Sequence, residues 1–303
     1  MNDERKRVLH LVTAAAHDRG YACELVRPEC VLLSGTTVFT LRLNVIRHRM
    51  RMNPPDRWPQ LVADAIDDVV VAAETEREHP LDYSDFSVMR TLVRTRLYGT
   101  ASVGGNGVRR TVAPGLIQRV IIDGLHTTVP VTYEMLARWP IGEWELFELA
   151  EHNVRVDGGV DIAWDFLDDL RRIRDLPPAA LLSGPEYLTA HIRHLGDHPV
   201  TGPEGAVLVA PSAVAVYVCP VVGPEVARAV DLLAVLAHTL HSDDPLAINT
   251  NVYWWRSGAL ELAARTFRRD DTTVIRYTDT YVRRTTAGQH GKPLGPSGFR
   301  DPS

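Results

Sequence analysis

Lysine is nearly absent from this 303-residue sequence. Only two of the 33 basic residues are lysines, Lys6 and Lys292, and each lies near one end of the chain, which leaves 31 arginines. A Schiff-base lysine or the lysine of a Walker phosphate loop must lie inside the fold. The sequence therefore excludes both kinds of lysine site from the interior.

Cysteine and long apolar runs are also scarce. Cys23, Cys30 and Cys219 form no Cys-x-x-Cys pair, so the pattern is typical of buried thiols in a reducing compartment. The charged first ten residues lack the apolar core of a secretory signal, and no stretch of about 18 apolar residues would span a membrane. We therefore expect a cytoplasmic protein with no membrane partner.

The overall charge argues against one further class of partner. The formal net charge is −5, and acidic residues are interleaved with most arginine clusters. Nucleic-acid-binding proteins usually carry a basic stripe and a high isoelectric point, so we expect no nucleic-acid partner. Apolar residues make up 45% of the chain, which is typical of a soluble globular protein with one large or two modest domains.

The spacing of apolar residues predicts an α+β fold. A helix over 4–19, three strands between 21 and 46 and a helix over 57–75 open the chain. A helix over 186–194, a buried hairpin over 206–218 and a helix over 226–240 form a second group. Helix–hairpin–helix units thus occur twice, which indicates two subdomains, each with antiparallel strands flanked by helices.

These groups suggest the domain boundaries. We expect an N-terminal α+β subdomain over 1–100 and a C-terminal α+β subdomain over 101–285. Residues 286–303 are rich in Gly, Pro and Ser, which predicts a disordered tail.

Two segments carry a resemblance to a known family. Residues 129–153 contain an apolar strand and then Glu-Leu-x-x-x-Ala-x-x-Asn, and residues 205–217 form a valine-rich hairpin around Pro211 that a long helix follows to 241. Together they resemble the YtpQ-like bacterial family, a domain of unknown function. Members often carry a charged turn after the proline, where this chain has Ser212 and Ala213. The resemblance implies an architecture and a bacterial cytosolic setting, but no reaction.

Two histidine clusters and one glycine-rich segment are candidate sites. His238, His241 and Asp243 lie at a helix end, where they could bind a metal or interact with the helix dipole. His191, His194 and His198 indicate an exposed polar helix end. The glycine-rich segment 99–107, followed by Arg109 and Arg110, lacks the Walker and Rossmann spacings but could bind an anion through its backbone.

The densest aromatic segment contains Trp254 and Trp255, followed by Arg256. In a strand the two indoles point to opposite sides, so we expect one in the core and one at a binding surface. Arg94 and Arg96 lie on a predicted strand over 88–97 and complete the candidate binding set, because arginine forks suit carboxylates and aromatic faces.

The sequence favours a non-catalytic binding or regulatory protein that recognises a protein or peptide partner, with no cofactor and no metal. Two alternatives remain open. One is a metal-assisted hydrolase or transferase that uses His238, His241 and Asp243. The other is an anion- or nucleotide-sensing protein built on the 99–107 loop.

Overall fold

The fold is α+β and consists of two compact units. The computed structural model describes residues 3–27, 30–43, 46–47, 50, 53–100, 105–124, 128–164, 177–223, 226–241, 247–269 and 272–283. Unit 1 comprises Met1–Phe86 and Asp123–Val129, and unit 2 comprises Ser87–Ile122 and Pro130–Ser303. None of the helices in these described ranges is long and apolar enough to cross a membrane.

Unit 1 has the predicted order of helix, three strands and helix. The elements are α1 (Asp3–Asp18), β1 (Ala22–Arg27), β2 (Cys30–Ser34), β3 (Val38–Arg42) and α2 (Trp58–Glu78). The strands form an antiparallel sheet in the order β1-β2-β3. Apolar side chains at helical spacing on α1 and α2 pack against the sheet, where Val8, Val12, Val62 and Ile66 share one core with Val31 and Leu33 of β2.

Both helices and strands follow α2 along the chain. They are α3 (Phe86–Leu92), β4 (Val93–Gly99), β5 (Arg109–Ala113), β6 (Leu116–Asp123), β7 (Thr128–Pro130), α4 (Tyr133–Leu136), α5 (Glu143–Asp157), β8 (Asp161–Ala163) and β9 (Ala180–Ser183). A 3₁₀ helix (Leu188–Asp197), β10 (Ala206–Ser212), β11 (Ala215–Pro220), α6 (Val226–His241), β12 (Val252–Arg256), β13 (Ala259–Arg269) and β14 (Thr272–Tyr277) follow.

A seven-stranded antiparallel sheet forms the centre of unit 2. Its order is β14-β13-β12-β10-β11-β9-β8, and the predicted hairpin over 206–218 is confirmed as β10 and β11. Helix α6 packs on one face through Val230, Leu233 and Ala237. The 3₁₀ helix and the smaller sheet, whose order is β4-β6-β5, pack on the other face, where Leu97 and Leu116 join the same core.

The division between the units differs from the expected boundary at residue 100. Strand β4 pairs with β6 along its whole length, from Val93 opposite Ile122 to Gly99 opposite Leu116, so residues 87–100 pack within unit 2. Helix α3 replaces the first part of the strand predicted over 88–97, because Met89 is buried on a helical turn. The predicted tail over 286–303 lies outside the described residues.

Gly99 is required by close packing. A Cβ atom on Gly99 would collide with the backbone carbonyl oxygen of Ile248. We expect Gly99→Ala to lower the free energy of unfolding by about 1–3 kcal/mol, because overpacking against a backbone atom forces the backbone to shift. Gly223→Ala, which adds a Cβ in open space, is the matched control and should change it by less than about 0.5 kcal/mol. Urea unfolding measures both, and equal effects would contradict this explanation.

Candidate functional site

Three arginines lie side by side across the smaller sheet of unit 2. Arg119 of β6 is directly opposite Arg96 of β4 on one side and Arg109 of β5 on the other. Directly paired residues of antiparallel strands point to the same face. Since adjacent strands are about 4.8 Å apart, the three side chains start within about 10 Å of one another. We call these three residues the arginine row.

Arg96 is held by neighbouring groups. Its Nη2 donates to Oε1 of Glu186 at 2.8 Å, and its guanidinium carbon lies 5.0 Å from the centre of the Tyr187 ring. The Arg96 side chain is 16% exposed, but that of Glu186 is 63% exposed, so solvent screens the carboxylate side of this ion pair. Arg96 is therefore the partly neutralised member of the row.

The charges of Arg119 and Arg109 are not balanced by a carboxylate among the described residues. Within the described part of the chain, neither guanidinium makes an ion pair or a hydrogen bond. The Nε of Arg119 is buried without a hydrogen-bond partner, and its Cζ lies 5.8 Å from the centre of the Tyr98 ring. Arg109 is exposed. The row thus presents two uncompensated positive charges beside a third one.

A less polar row lies next to the arginines on the same face. Ile117 of β6 is opposite both Tyr98 of β4 and Thr111 of β5. Tyr98 and Ile117 are half-buried and Thr111 is exposed. The face therefore combines a charged row with a mixed aromatic and aliphatic row, a composition that is enriched at protein interfaces.

The opposite face of the sheet carries Arg110, whose charge has a partner within unit 2. Arg110 donates through Nε to Oε1 of Gln118 at 2.7 Å and through Nη2 to Oε1 of Glu151 at 2.6 Å. Gln118 also donates to Glu151 at 2.7 Å, and the Nε2 of His194 lies 3.6 Å from Oε2 of Glu151. These contacts connect β5, β6, α5 and the 3₁₀ helix. Arg110 is thus neutralised inside unit 2.

Glu151 is fixed in its charged form. Burial alone would raise the pKa of this carboxyl, but His194, Gln118 and Arg110 outweigh burial and lower the pKa to about 2. The guanidinium of Arg110 also lies over the rings of Phe147, at 4.2 Å, and Trp144, at 5.7 Å. A carboxylate with so low a pKa is a poor general base or acid near neutral pH. We therefore assign this network a role in holding the four elements together.

The histidine cluster over 191–198 is more buried than the sequence predicts. The expectation of an exposed helix end is wrong for His191, whose side chain faces the core at 3% exposure. Its ring lies 5.4 Å from that of His198. The 3₁₀ helix turns His191 inward beside Ala190 and Ile192, which are also buried.

The tryptophan segment is internal. The two indoles do lie on opposite faces of the seven-stranded sheet, but the expectation that one of them is exposed is wrong, because Trp254 is 5% and Trp255 9% exposed. Helix α6 covers one face and the 3₁₀ helix the other. Arg256 donates to Glu204 at 3.0 Å and lies over the Trp254 ring. Binding of a partner by this segment stays a prediction, with Arg256 as its accessible member.

Arg94 is the other arginine predicted for binding on β4. It donates through Nε and Nη2 to Asp157 at 2.5 Å and 3.0 Å, a two-bond fork that joins β4 to the end of α5. Its side chain is only 13% exposed. The structure thus separates the two predicted residues of β4, because Arg96 joins the row whereas Arg94 is engaged with α5.

The candidate metal cluster is only partly described. His238 and His241 lie in the last turn of α6 as predicted, and the Nδ1 of His241 is 3.1 Å from the carbonyl oxygen of Pro211. Burial, His241 and Arg268 lower the pKa of His238. Asp243 lies outside the described residues. In the ranges that the structure describes, no three His, Cys, Asp or Glu side chains form a group that could hold a metal.

The glycines at both ends of the 99–107 loop have packing roles. Gly99 faces the Ile248 carbonyl, and the guanidinium of Arg119 fills the space that a Cβ on Gly107 would occupy. Gly105 has a positive φ of 81°. Residues 101–104 lie outside the described residues, so binding of an anion by this loop stays a prediction.

Comparison with known proteins adds no assignment. No protein-family model, no curated protein and no solved structure matches this chain. The resemblance to the YtpQ-like family therefore stays a prediction, and the geometry of the site is the basis for a functional proposal.

The pKa of His191 predicts how stability depends on pH. Burial, with His198 and His194, lowers the pKa of His191 from 6.5 to about 4, against the opposite pull of Asp197 and Asp157. Between pH 6.5 and 4 the unfolded chain therefore binds a proton that the folded chain does not. Stability should fall as the pH decreases through this window, by up to about 3 kcal/mol from this residue.

Replacement of His191 tests that prediction. Urea unfolding of His191→Gln should show a shallower loss of stability between pH 6.5 and 4 than the parent chain. His152→Gln, at an exposed position of α5, is the matched control and should leave the slope unchanged. If His191→Gln retains the full slope, the residue is not the source of the pH dependence.

Proposed function

We propose that this chain is a non-catalytic binding protein that recognises an acidic segment of a protein or peptide partner through the arginine row. The observation that carries the proposal is the pairing of Arg119 with Arg109, two guanidiniums side by side with no carboxylate partner among the described residues. Like charges directly opposite each other on neighbouring strands are destabilising. An anion bound between them would remove that cost.

The donors of the row suit carboxylates. Each guanidinium presents N–H groups in a planar fork that matches the two oxygens of a carboxylate. Arg109 is exposed and can turn toward a ligand, while Arg119 is steadied by Tyr98 and by its contact with Gly107. An acidic side chain at this position would receive donors from two strands.

The neighbouring row favours a peptide over a small free anion. Tyr98, Ile117 and Thr111 offer partly exposed aromatic, aliphatic and hydroxyl groups directly beside the charges. A peptide that carries an acidic residue next to an apolar one would contact both rows at once, whereas an inorganic anion or a nucleotide phosphate would use only the arginines. The net charge of −5 also opposes binding of a long polyanion such as nucleic acid.

We also propose a cytoplasmic, bacterial setting. Cys23, Cys30 and Cys219 form no disulfide bond, which suits a reducing compartment. The bacterial origin rests on the YtpQ-like resemblance of residues 129–153 and 205–241.

Peptide selection tests the proposal. We expect random peptides selected on the full chain to be enriched in Asp or Glu next to an apolar residue. Their affinity should fall at least about tenfold for the Arg109→Gln, Arg119→Gln double variant, because charge-assisted hydrogen bonds are lost. Fluorescence anisotropy of the labelled selected peptides measures the change.

A control variant distinguishes binding by the arginine row from an effect of the overall charge of the protein. Arg228→Gln removes one positive charge from an exposed position of α6, and its affinity should match that of the parent chain. Failure to select acidic peptides, or peptides that bind the double variant as tightly as the parent, would contradict the proposal. Competition by phosphate or by a nucleotide at equal strength would instead favour an anion sensor.

A further inference from the structure

A second candidate binding surface is the β14 edge of the seven-stranded sheet. Strand β14 is the last strand of that sheet, and no described strand pairs with its outer side. Its sequence, Thr-Thr-Val-Ile-Arg-Tyr, is rich in β-branched and aromatic residues and contains no proline. An exposed edge strand of this kind attracts further strands unless charge, proline or a covering element protects it.

The chain protects another edge with side chains. On β4, the Nδ2 of Asn153 donates to the carbonyl oxygen of Val93 at 3.0 Å, and Oγ1 of Thr189 accepts from the amide of Leu97 at 3.2 Å. These two side chains occupy backbone groups that an incoming strand would need. The described residues provide no comparable side-chain contact to the backbone of β14.

The outer face of the β13–β14 hairpin has a defined chemical pattern. Arg265 is directly opposite Arg276, and the next pair along the same face is Phe267 with Val274. Phe267 is 41% exposed, and the Arg276 guanidinium lies 5.9 Å from the centre of its ring. Within the described part of the chain, Arg265 and Arg276 have no acidic partner. The face thus pairs two uncompensated positive charges with an apolar pair.

The inner face of the hairpin fixes this pattern. Ile275 and Tyr277 pack toward α6, and the Tyr277 hydroxyl donates to Asp231 of that helix at 2.5 Å. Because side chains alternate along a strand, Val274 and Arg276 must then point to the other side. Beyond Ala264, β13 has β14 as its partner and no longer pairs with β12. The hairpin end is therefore a two-stranded ribbon with a fixed outer face.

We propose that the edge of β14 binds a β-strand of a partner protein that carries an acidic residue two positions from an apolar one. Backbone hydrogen bonds to β14 would supply affinity, and alternate side chains would supply specificity. The acidic residue would lie beside Arg276 and Arg265, and the apolar residue beside Val274 and Phe267. A second copy of β14 fits less well, because it would bring another Arg276 to a face that already carries two arginines.

The experiment uses the full chain with the arginine row disabled by Arg109→Gln and Arg119→Gln. A failure of this proposal is then distinguishable from a failure of the proposed function. Random peptides are selected on this chain, and we expect alternating sequences with Asp or Glu two residues from Val, Ile or Phe. Binding of these peptides should slow hydrogen exchange of the backbone amides of β14.

Variants of the outer face complete the test. Val274→Lys and Arg276→Glu should each lower the affinity for the selected peptides at least about tenfold. Arg276→Lys, which keeps the charge, should lower this affinity less than about threefold. Circular dichroism verifies that each variant folds. Agreement between Val274→Lys and Arg276→Glu shows that the loss of binding does not come from one substitution alone. Selection of no such peptides, or equal binding by all variants, would overturn the proposal. So would a dimer in sedimentation that Val274→Lys dissociates, or binding to phosphatidylserine vesicles that Arg276→Glu abolishes.

Discussion

Strand register places three guanidinium groups side by side on β4, β6 and β5, and the buried opposite face of the sheet prevents any other arrangement. Leu97, Leu116 and Gln118 point into the interior, where the first two join the core and the third bonds to Glu151. A slip by one residue would bury the arginines and expose these groups. The repulsion within the row is therefore imposed by the core, and the sheet cannot relieve it by itself.

Arg110 on the inner face of the smaller sheet has partners within the chain that the Arg109–Arg119 pair on the outer face lacks among the described residues. On the inner face, Arg110 is neutralised by Glu151, bonded by Gln118 and covered by the Phe147 and Trp144 rings. On the outer face, Arg119 and Arg109 have no such partners among the described residues. Since the outer face also supplies Glu186 to Arg96, the lack of a carboxylate beside Arg119 and Arg109 among the described residues supports the proposal that this pair binds one from a partner.

The local patterns of the sequence predict much of the fold. Helices α1, α2 and α6 and the β10–β11 hairpin are confirmed, because their apolar spacing matches the faces that they bury. Strand β13 was not predicted, since Ala-Leu-Glu-Leu-Ala-Ala consists of residues that favour helices and only pairing with β12 and β14 makes it a strand.

The arginine row was only partly predictable, because strand pairing brings its members together. Arg96 stands out on its own strand, but its neighbours in space, Arg119 and Arg109, are distant in the sequence and become adjacent only through register. A weak signal was present in β6, where Gln118 and Arg119 interrupt a strand whose other residues, except the last, are apolar. The aromatic pair Trp254 and Trp255 is typical of a binding surface, yet both sides of its strand are covered.

The central claim is that Arg109 and Arg119 repel each other when no anion is bound. The coupling free energy between the two residues tests this claim most directly. A double-mutant cycle with Arg109→Gln and Arg119→Gln, followed by urea unfolding at low ionic strength, isolates the interaction between the two side chains. We predict a repulsive coupling of about 0.2–1 kcal/mol that shrinks as salt is added. A coupling that is attractive, or that is zero at low salt, would contradict the account, because the two arginines would then need no external anion.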